Sequence, residues 1–409
     1  MSTNDTSISI LTLNCWGIPY VSRNRNPRMA AIADKCASRE YDVICLQEVW
    51  SVNDFKAIRA KAQEVLPYSH YFYSGVVGSG ICVLSRYPIC DVMFHRWPLN
   101  GYVHKIHHGD WFGGKGVGLC KIKVRSMNIN IYIAHLHAEY NRENDEYMAH
   151  RVLQAFDTAQ FVRMTSGGAD AVILAGDLNT EPQDLAYRII CGVAGLTDAC
   201  PNSASHIGTN ECANNSYTSS KLARRRPEGK RIDHVLYLGS KTVRVEIANF
   251  QHPLPNRVPY KDFSYSDHEG VMATLKFTNG EHDTNSPNVT DSLKEAIEIC
   301  ENALRSVQRQ RFWYLLSGCI LSIPLLWSIG LNCLNTSLGI DIGLNIARIF
   351  LTAILCYTLF MSSIWNSVEK NALKAGCLTI EIYMTQLNND LRGNKPSKVS
   401  FPHQTTCAK

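Results

Sequence analysis

Six stretches of this sequence end in residues that can hold a hard cation or move a proton. They are Leu13-Asn14, Leu46-Gln47-Glu48-Val49, Ala134-His135, Gly176-Asp177-Leu178-Asn179, Arg231-Ile232-Asp233 and Ser266-Asp267-His268. Carboxylates and carboxamides are the oxygen ligands that suit Mg²⁺. His135 and His268 are candidate proton carriers, since imidazole titrates near neutrality. No Ser-His or Cys-His arrangement has motif support, and neither a phosphate-binding P-loop nor a paired-glycine dinucleotide motif is present. Such a set suits metal-assisted attack of water on a phosphate ester. Each residue alone has a plainer explanation, because an Asn at a strand end often only makes a turn and Asp-His pairs arise by chance. Their order along the chain is what raises the odds.

The elements that must position them are short. Ile8–Leu13, Asp42–Leu46, Ile129–Ala134, Ala171–Ala175 and Ile232–Leu238 are apolar, often β-branched runs bounded by polar residues, and read as strands. Helical patterns fall at about 27–39, 52–65 and 142–165. Sheets covered by helices gather polar residues at strand ends, where sites form.

Composition narrows the class. The chain has 409 residues, 45% of them hydrophobic, and a net charge of only +5. Its one dense basic run, Arg224-Arg225-Arg226, reads as a solvated loop rather than the concentrated basic face of a nucleic-acid binder. The 15 Cys never fall as C-x-x-C, so they make a poor disulfide or zinc framework and point to a reducing compartment. The polar N-terminus gives no sign of a cleavable signal peptide.

The organisation changes near residue 279. Residues 1–278 are expected to form the catalytic domain, 279–291 a polar linker and 292–311 an amphipathic helix; 312–334 and 342–365 are two spans, and 366–409 a further helix and tail. Both spans are long enough to cross a bilayer as helices. Arg305, Arg309 and Arg311 precede the pair, Lys370 and Lys374 follow it, and the short loop between carries neither Lys nor Arg. The positive-inside rule therefore places both outer ends, and the large domain, in the cytosol. Arg348 conflicts with this and is expected to snorkel to the far interface. The flanking amphipathic helices are expected to pack as an antiparallel pair. Asn335-Thr336-Ser337 matches a glycosylation acceptor that lies too near the membrane for use.

The ordered motifs resemble the endonuclease/exonuclease/phosphatase superfamily of DNase I-like enzymes over residues 8–277. Within it, the chain closely resembles animal neutral sphingomyelinases. The segments that match are Leu13–Tyr20, Gly78-Ser79-Gly80, Ile106-His107-His108-Gly109-Asp110-Trp111-Phe112, His135–Asn141 and the C-terminal hairpin. The resemblance implies an α/β (α+β) fold, a four-layer DNase I-like sandwich of two mainly antiparallel sheets flanked by helices. It also implies Mg²⁺ as cofactor and hydrolysis of sphingomyelin to ceramide and phosphocholine, with a membrane lipid as partner and no nucleic acid.

On that resemblance Glu48 is the principal Mg²⁺ ligand, with Asn14 beside it and Asp267 next to the metal. His268 is the general base, held by Asp233. Asp177 and Asn179 orient water and hold phosphoryl oxygens. His135, chosen over His137, stabilises the pentacoordinate phosphate or assists the leaving group. Asp110 and Lys115, which bracket a Gly-rich turn, bind near the phosphate. An endoplasmic reticulum or other internal membrane is the implied location. Competing readings are a phospholipase C on lysocholine lipids, a nuclease of DNase or abasic-site type, an inositol phosphate phosphatase and an inactive membrane scaffold.

Overall fold

A computed structural model describes residues 6–105, 108–201, 203, 207–281, 289–330 and 338–391. Ile106-His107, most of the expected linker, the glycosylation acceptor and the tail beyond residue 391 lie outside the described residues. The chain divides into two compact units, residues 1–299 and 300–409.

The first unit contains two six-stranded sheets. One runs β11 (Val243–Gln251), β12 (Val271–Asn279), β1 (Thr6–Asn14), β2 (Val43–Gln47), β4 (Cys82–Ser85), β3 (Tyr68–Tyr71). The other runs β5 (Ile89–Arg96), β6 (Gly116–Val124), β7 (Met127–His135), β8 (Ala171–Asp177), β10 (Asp233–Gly239), β9 (Thr197–Asp198). Each sheet is antiparallel except for one central parallel pair, β1 with β2 and β7 with β8. A parallel pair needs a long crossover, and α1 (Arg25–Cys36) and α3 (Met148–Thr165) occupy those crossovers.

Alternation along β1 explains the layering. Ile8 and Ile10 meet Val43, Ile131, Ile133, Ile173 and Val235 in the core between the sheets. Leu11 and Leu13 point the other way, onto Met29 and Ile32 of α1 and Phe55 and Ile58 of α2 (Val52–Ala62). On the second sheet Asn130 and Tyr132 face outward and bond Thr165 at the end of α3. Helix, sheet, sheet, helix is the four-layer DNase I-like arrangement expected. Helix α3 starts at Met148 rather than near 142, because the Asn141 side chain accepts the Glu143 and Asn144 amides and Asp145 accepts that of Tyr147. Such local bonds compete with a helix start. Two short helices, α4 (Leu185–Ala194) and α5 (Ser220–Arg225), complete this unit.

From Thr290 the described residues are helical. Helix α6 (Thr290–Gly330) is continuous, with no break where the amphipathic segment meets the first apolar one. Helix α7 (Leu338–Phe360), a π turn (Met361–Trp365) and α8 (Asn366–Leu391) follow. Among the described residues, two helices are long and apolar enough to cross a membrane, with only 11% of each apolar window buried. That exposure is the opposite of a soluble core helix. Arg348 does not extend freely: its Nε donates to Ser328 Oγ at 3.0 Å and Nη1 to Asn345 Oδ1 at 3.0 Å. Within this unit Asn366 Nδ2 donates to Val307 O at 2.8 Å, which pairs α6 with α8.

Candidate active site

The two parallel pairs end beside each other, and their C-terminal ends carry the site. Register sets the row across the second sheet, where Asp177 lies opposite His135 on one side and Asp233 on the other. Asn14 pairs with Gln47 on the first sheet, with Glu48 just beyond. The Asn14 carboxamide joins the sheets, its Nδ2 lying 3.0 Å from Glu48 Oε1 and 2.9 Å from Asp177 Oδ2. Glu48 and Asp177 line a cleft of about 170 Å³ with His135, Asn179 and His268.

The backbone bends to present them. Glu48 has φ 54° and Asn179 φ 46°, a region uncommon for residues with a Cβ and often found at working sites. The Gly17 amide donates to Glu48 O at 3.0 Å, and a Cβ at Gly17 would sit 2.3 Å from that oxygen. Only glycine allows that approach. Asn179 is held by its amide on Asp177 Oδ1 (2.9 Å) and its Nδ2 on Leu136 O (3.1 Å).

His268 Nδ1 lies 2.8 Å from Asp233 Oδ2, while Nε2 points toward Asp177 Oδ2 at 3.9 Å. Burial disfavours the charged ring, but Asp233, Asp177 and Asp267 outweigh it and raise the His268 pKa well above the usual range. Asp177 is raised by burial and by the neighbouring Asp233 charge. Thr209 Oγ1 accepts both the Ile232 and Asp233 amides, at 3.0 and 3.1 Å, which fixes the start of β10. The loop bearing Asp267 is tied to β1 by Ser266 Oγ, 2.6 Å from Asn14 O.

The remaining pair falls on the other flank. Lys115 Nζ lies 2.9 Å from Asp110 Oδ1 and 3.4 Å from His135 Nε2. Asp110 is therefore held well below the usual carboxylate range, burial being outweighed by Lys115 and His137. The two candidate histidines separate here. His135 Nε2 is 3.5 Å from Asp177 Oδ2 and 3.9 Å from Glu48 Oε1. His137 stacks on Tyr147 at 3.9 Å and turns Nε2 toward Asp110 Oδ2. Every residue picked from the sequence thus falls in one connected cluster.

An oxygen-rich cation site fits this cluster. Glu48 Oε2 is buried without a hydrogen-bond donor, as is Asp233 Oδ1, and unpaired buried carboxylate oxygens are costly unless a cation meets them. Asp177, Asp233 and His268 have ligand atoms within 4.8 Å of one another. Asp233 Oδ2 and His268 Nδ1 are already bonded to each other. Glu48 offers a second ligand wall, with Asp267 near enough to raise the Glu48 pKa after burial has done so.

Residue types alone do not reveal the supports. Arg28, buried in α1, donates to Cys15 O at 2.7 Å, Trp16 O at 2.7 Å and Tyr265 O at 3.2 Å. It clamps the Asn14 turn to the segment before Asp267. Glu139, Arg142, Glu211 and Lys230 form the outer rim of the cleft. Their only prior signal is that Glu139 lies within the His135–Asn141 segment and Lys230 just precedes Arg231-Ile232-Asp233.

Residues 11–268 match the endonuclease/exonuclease/phosphatase family. A Drosophila melanogaster protein with the provisional name neutral sphingomyelinase is 39% identical, over 92% of this chain and 97% of its own. Human sphingomyelin phosphodiesterase 2 is 43% identical, over 66% of this chain and 64% of its own. The crystal structure of SmcL superposes with a TM-score of 0.50 at 19% identity, over 66% of this chain and 99% of that one. That likeness speaks for the fold.

Proposed function

We propose, because this chain belongs to the endonuclease/exonuclease/phosphatase family, that it is a neutral sphingomyelinase. It hydrolyses sphingomyelin to ceramide and phosphocholine. The observation that carries this reading is the convergence of Glu48, Asn14, Asp177, His135 and His268 on one cleft, in a chain with sphingomyelinase relatives along its length.

The residues divide the work. Asp233 accepts the Nδ1–H of His268 as a hydrogen bond, which leaves Nε2 facing the cleft, and the raised pKa makes the neutral ring a strong acceptor for a proton from water. The imidazolium that results is stabilised by the same carboxylate. Asp177 and Asn179 orient the water, and Asn179 with the Lys115 ammonium and His135 receives phosphoryl oxygens. Asp110 holds Lys115 in place. Glu48, Asn14 and Asp267 would hold Mg²⁺, which when bound offsets phosphoryl charge and favours departure of the ceramide oxygen.

The helical hairpin is read as a membrane anchor. Basic residues on both outer ends favour a cytosolic catalytic unit on an internal membrane such as the endoplasmic reticulum. A headgroup-release assay on purified protein, with sphingomyelin, lysophosphatidylcholine and plasmid DNA in Mg²⁺ and then chelator, tests the proposal. Phosphocholine release from sphingomyelin, abolished by chelator, is expected. Cut plasmid with intact lipid would replace this reading with the nuclease one.

A further inference from the structure

The turn between Asp110 and Lys115 does more than join them. Its residues Trp111 and Phe112 are half-exposed, and it is laced to a second loop: the Val76 and Val77 amides both donate to Phe112 O, at 3.0 and 3.3 Å, and the Gly114 amide to Gly78 O at 3.1 Å. The second loop is apolar and turned outward. Tyr73 is 70% exposed, Val76 78% and Val77 49%. Scattered exposed apolar side chains need no explanation, but a contiguous patch on two mutually bonded loops does.

The patch is also built rigidly onto the site. The backbones of Gly75 and Gly114 touch, so a Cβ on either would fall within 2.4 Å of the other's amide nitrogen. Beneath them the Trp50 ring lies 3.1 Å from where a Cβ would stand on Gly80 and on Gly113. Trp50 follows Glu48 by two residues, and the Val49 amide donates to Gly80 O at 2.9 Å. Asp110 and Lys115, the brackets of the turn, lie against His135. An outward apolar tip thus stands directly on the groups that face the scissile phosphate.

We propose that residues 73–77 with Trp111 and Phe112 form an interfacial tip that enters the lipid surface and sets the depth at which a bilayer-embedded phosphodiester meets Lys115 and His135. The partner is a lipid surface rather than a protein. The patch is continuous with a cleft whose substrate, on the proposed function, is itself held in such a surface. Half-exposed aromatics beside valines also suit the headgroup–acyl boundary. This inference rests on the lipid-hydrolase reading.

The test uses the full chain reconstituted in phosphatidylcholine vesicles carrying sphingomyelin, with Val76→Asp/Val77→Asp as the variant. Turnover of vesicle sphingomyelin should fall roughly tenfold or more, because two exposed apolar side chains that would enter the lipid become charged. Turnover of a water-soluble short-chain sphingomyelin analogue should stay within about twofold, since neither valine touches the reacting groups. Equal loss on both substrates, or no loss on vesicles, overturns the proposal. Amide exchange over residues 73–78 gives a readout independent of turnover. It should be slower in phosphatidylcholine bilayers than in an amphipathic polymer, and unchanged exchange overturns the tip even if the protein cleaves no choline lipid. Absence of turnover by the unaltered protein on both substrates, with exchange slowed, would sink the sphingomyelinase reading and leave the tip standing.

Discussion

The sandwich and the two apolar spans sort their side chains in opposite ways. In the sandwich, Ile10, Ile131 and Phe156 are sealed inside and polar residues are buried mainly where the parallel pairs end. Along the apolar spans of the helical unit, Phe312, Ile323, Trp327 and Phe350 face outward while Ser328 and Thr358 are buried. The same side-chain chemistry is thus sorted in reverse. Water drives apolar groups inward, whereas lipid leaves helix association to packing and polar contacts. The difference teaches that apolar length alone does not say what surrounds a helix; the side on which the polar atoms end up does.

One truncation made in both units should break or sharpen that contrast most. Phe156→Ala should destabilise the sandwich by about 3–5 kcal/mol through lost burial and a cavity. Trp327→Ala, exposed on α6, should shift the stability of the bilayer-reconstituted protein by less than about 0.5 kcal/mol. Thermal unfolding followed separately for each unit reads both values, and comparable losses would undo the inside-out description.

Next in size are changes to the polar cluster of the sandwich. His268→Ala or Glu48→Ala should lower turnover at least about a hundredfold, roughly 2.7 kcal/mol of barrier, while the protein still folds. A near-normal rate in either variant would remove that residue from the mechanism. The buried polar atoms of the helical unit should matter less. Asn366→Ala deletes the bond to Val307 O and should loosen the α6–α8 pair by about 1 kcal/mol. Protease sensitivity of the helical unit checks this.

The smallest effect is set by pH. Burial pushes Glu369 up to about 7, against an ordinary value of 4.5, with a Trp365 hydrogen bond pulling slightly the other way. A raised carboxyl means that the folded helical unit holds this proton more tightly than the unfolded chain does. The stabilisation is fully present below pH 4.5 and is lost as pH rises through about 7. Melting of the helical unit should therefore drop between mildly acidic and mildly alkaline buffer, and Glu369→Gln should flatten that slope. The buried Glu48 and Asp177 are also raised, but a cation would reset them, so Glu369 is the cleaner probe.

Much of the site was legible because strand ends are local events. A short β-branched run stopped by Asn14, His135 or Asp177 announces both the strand and the residue at its mouth. The continuous apolar helices were legible for the same reason. The choice between His135 and His137 was not, because His135 ends β7 with His137 only two residues beyond, and only the cluster around Asp110 and Tyr147 separates them. Arg28 was invisible as a clamp, since an arginine in an amphipathic helix ordinarily reads as solvated. The edge strands β3 and β9 and the outer strands β5 and β11 carry too little periodic contrast, with one or both faces exposed.

By itself the sequence determined the elements and the chemistry at their ends, because periodicity of two or 3.6 and the hardness of an oxygen ligand are properties of nearest neighbours. Only the tertiary structure decided which ends meet. Ser266 reaches Asn14 across 252 residues and Asn14 reaches Asp177 across 163, and nothing in a local pattern specifies such pairings. They follow from two parallel pairs packing face to face, so that the carboxyl ends of both open on one cleft.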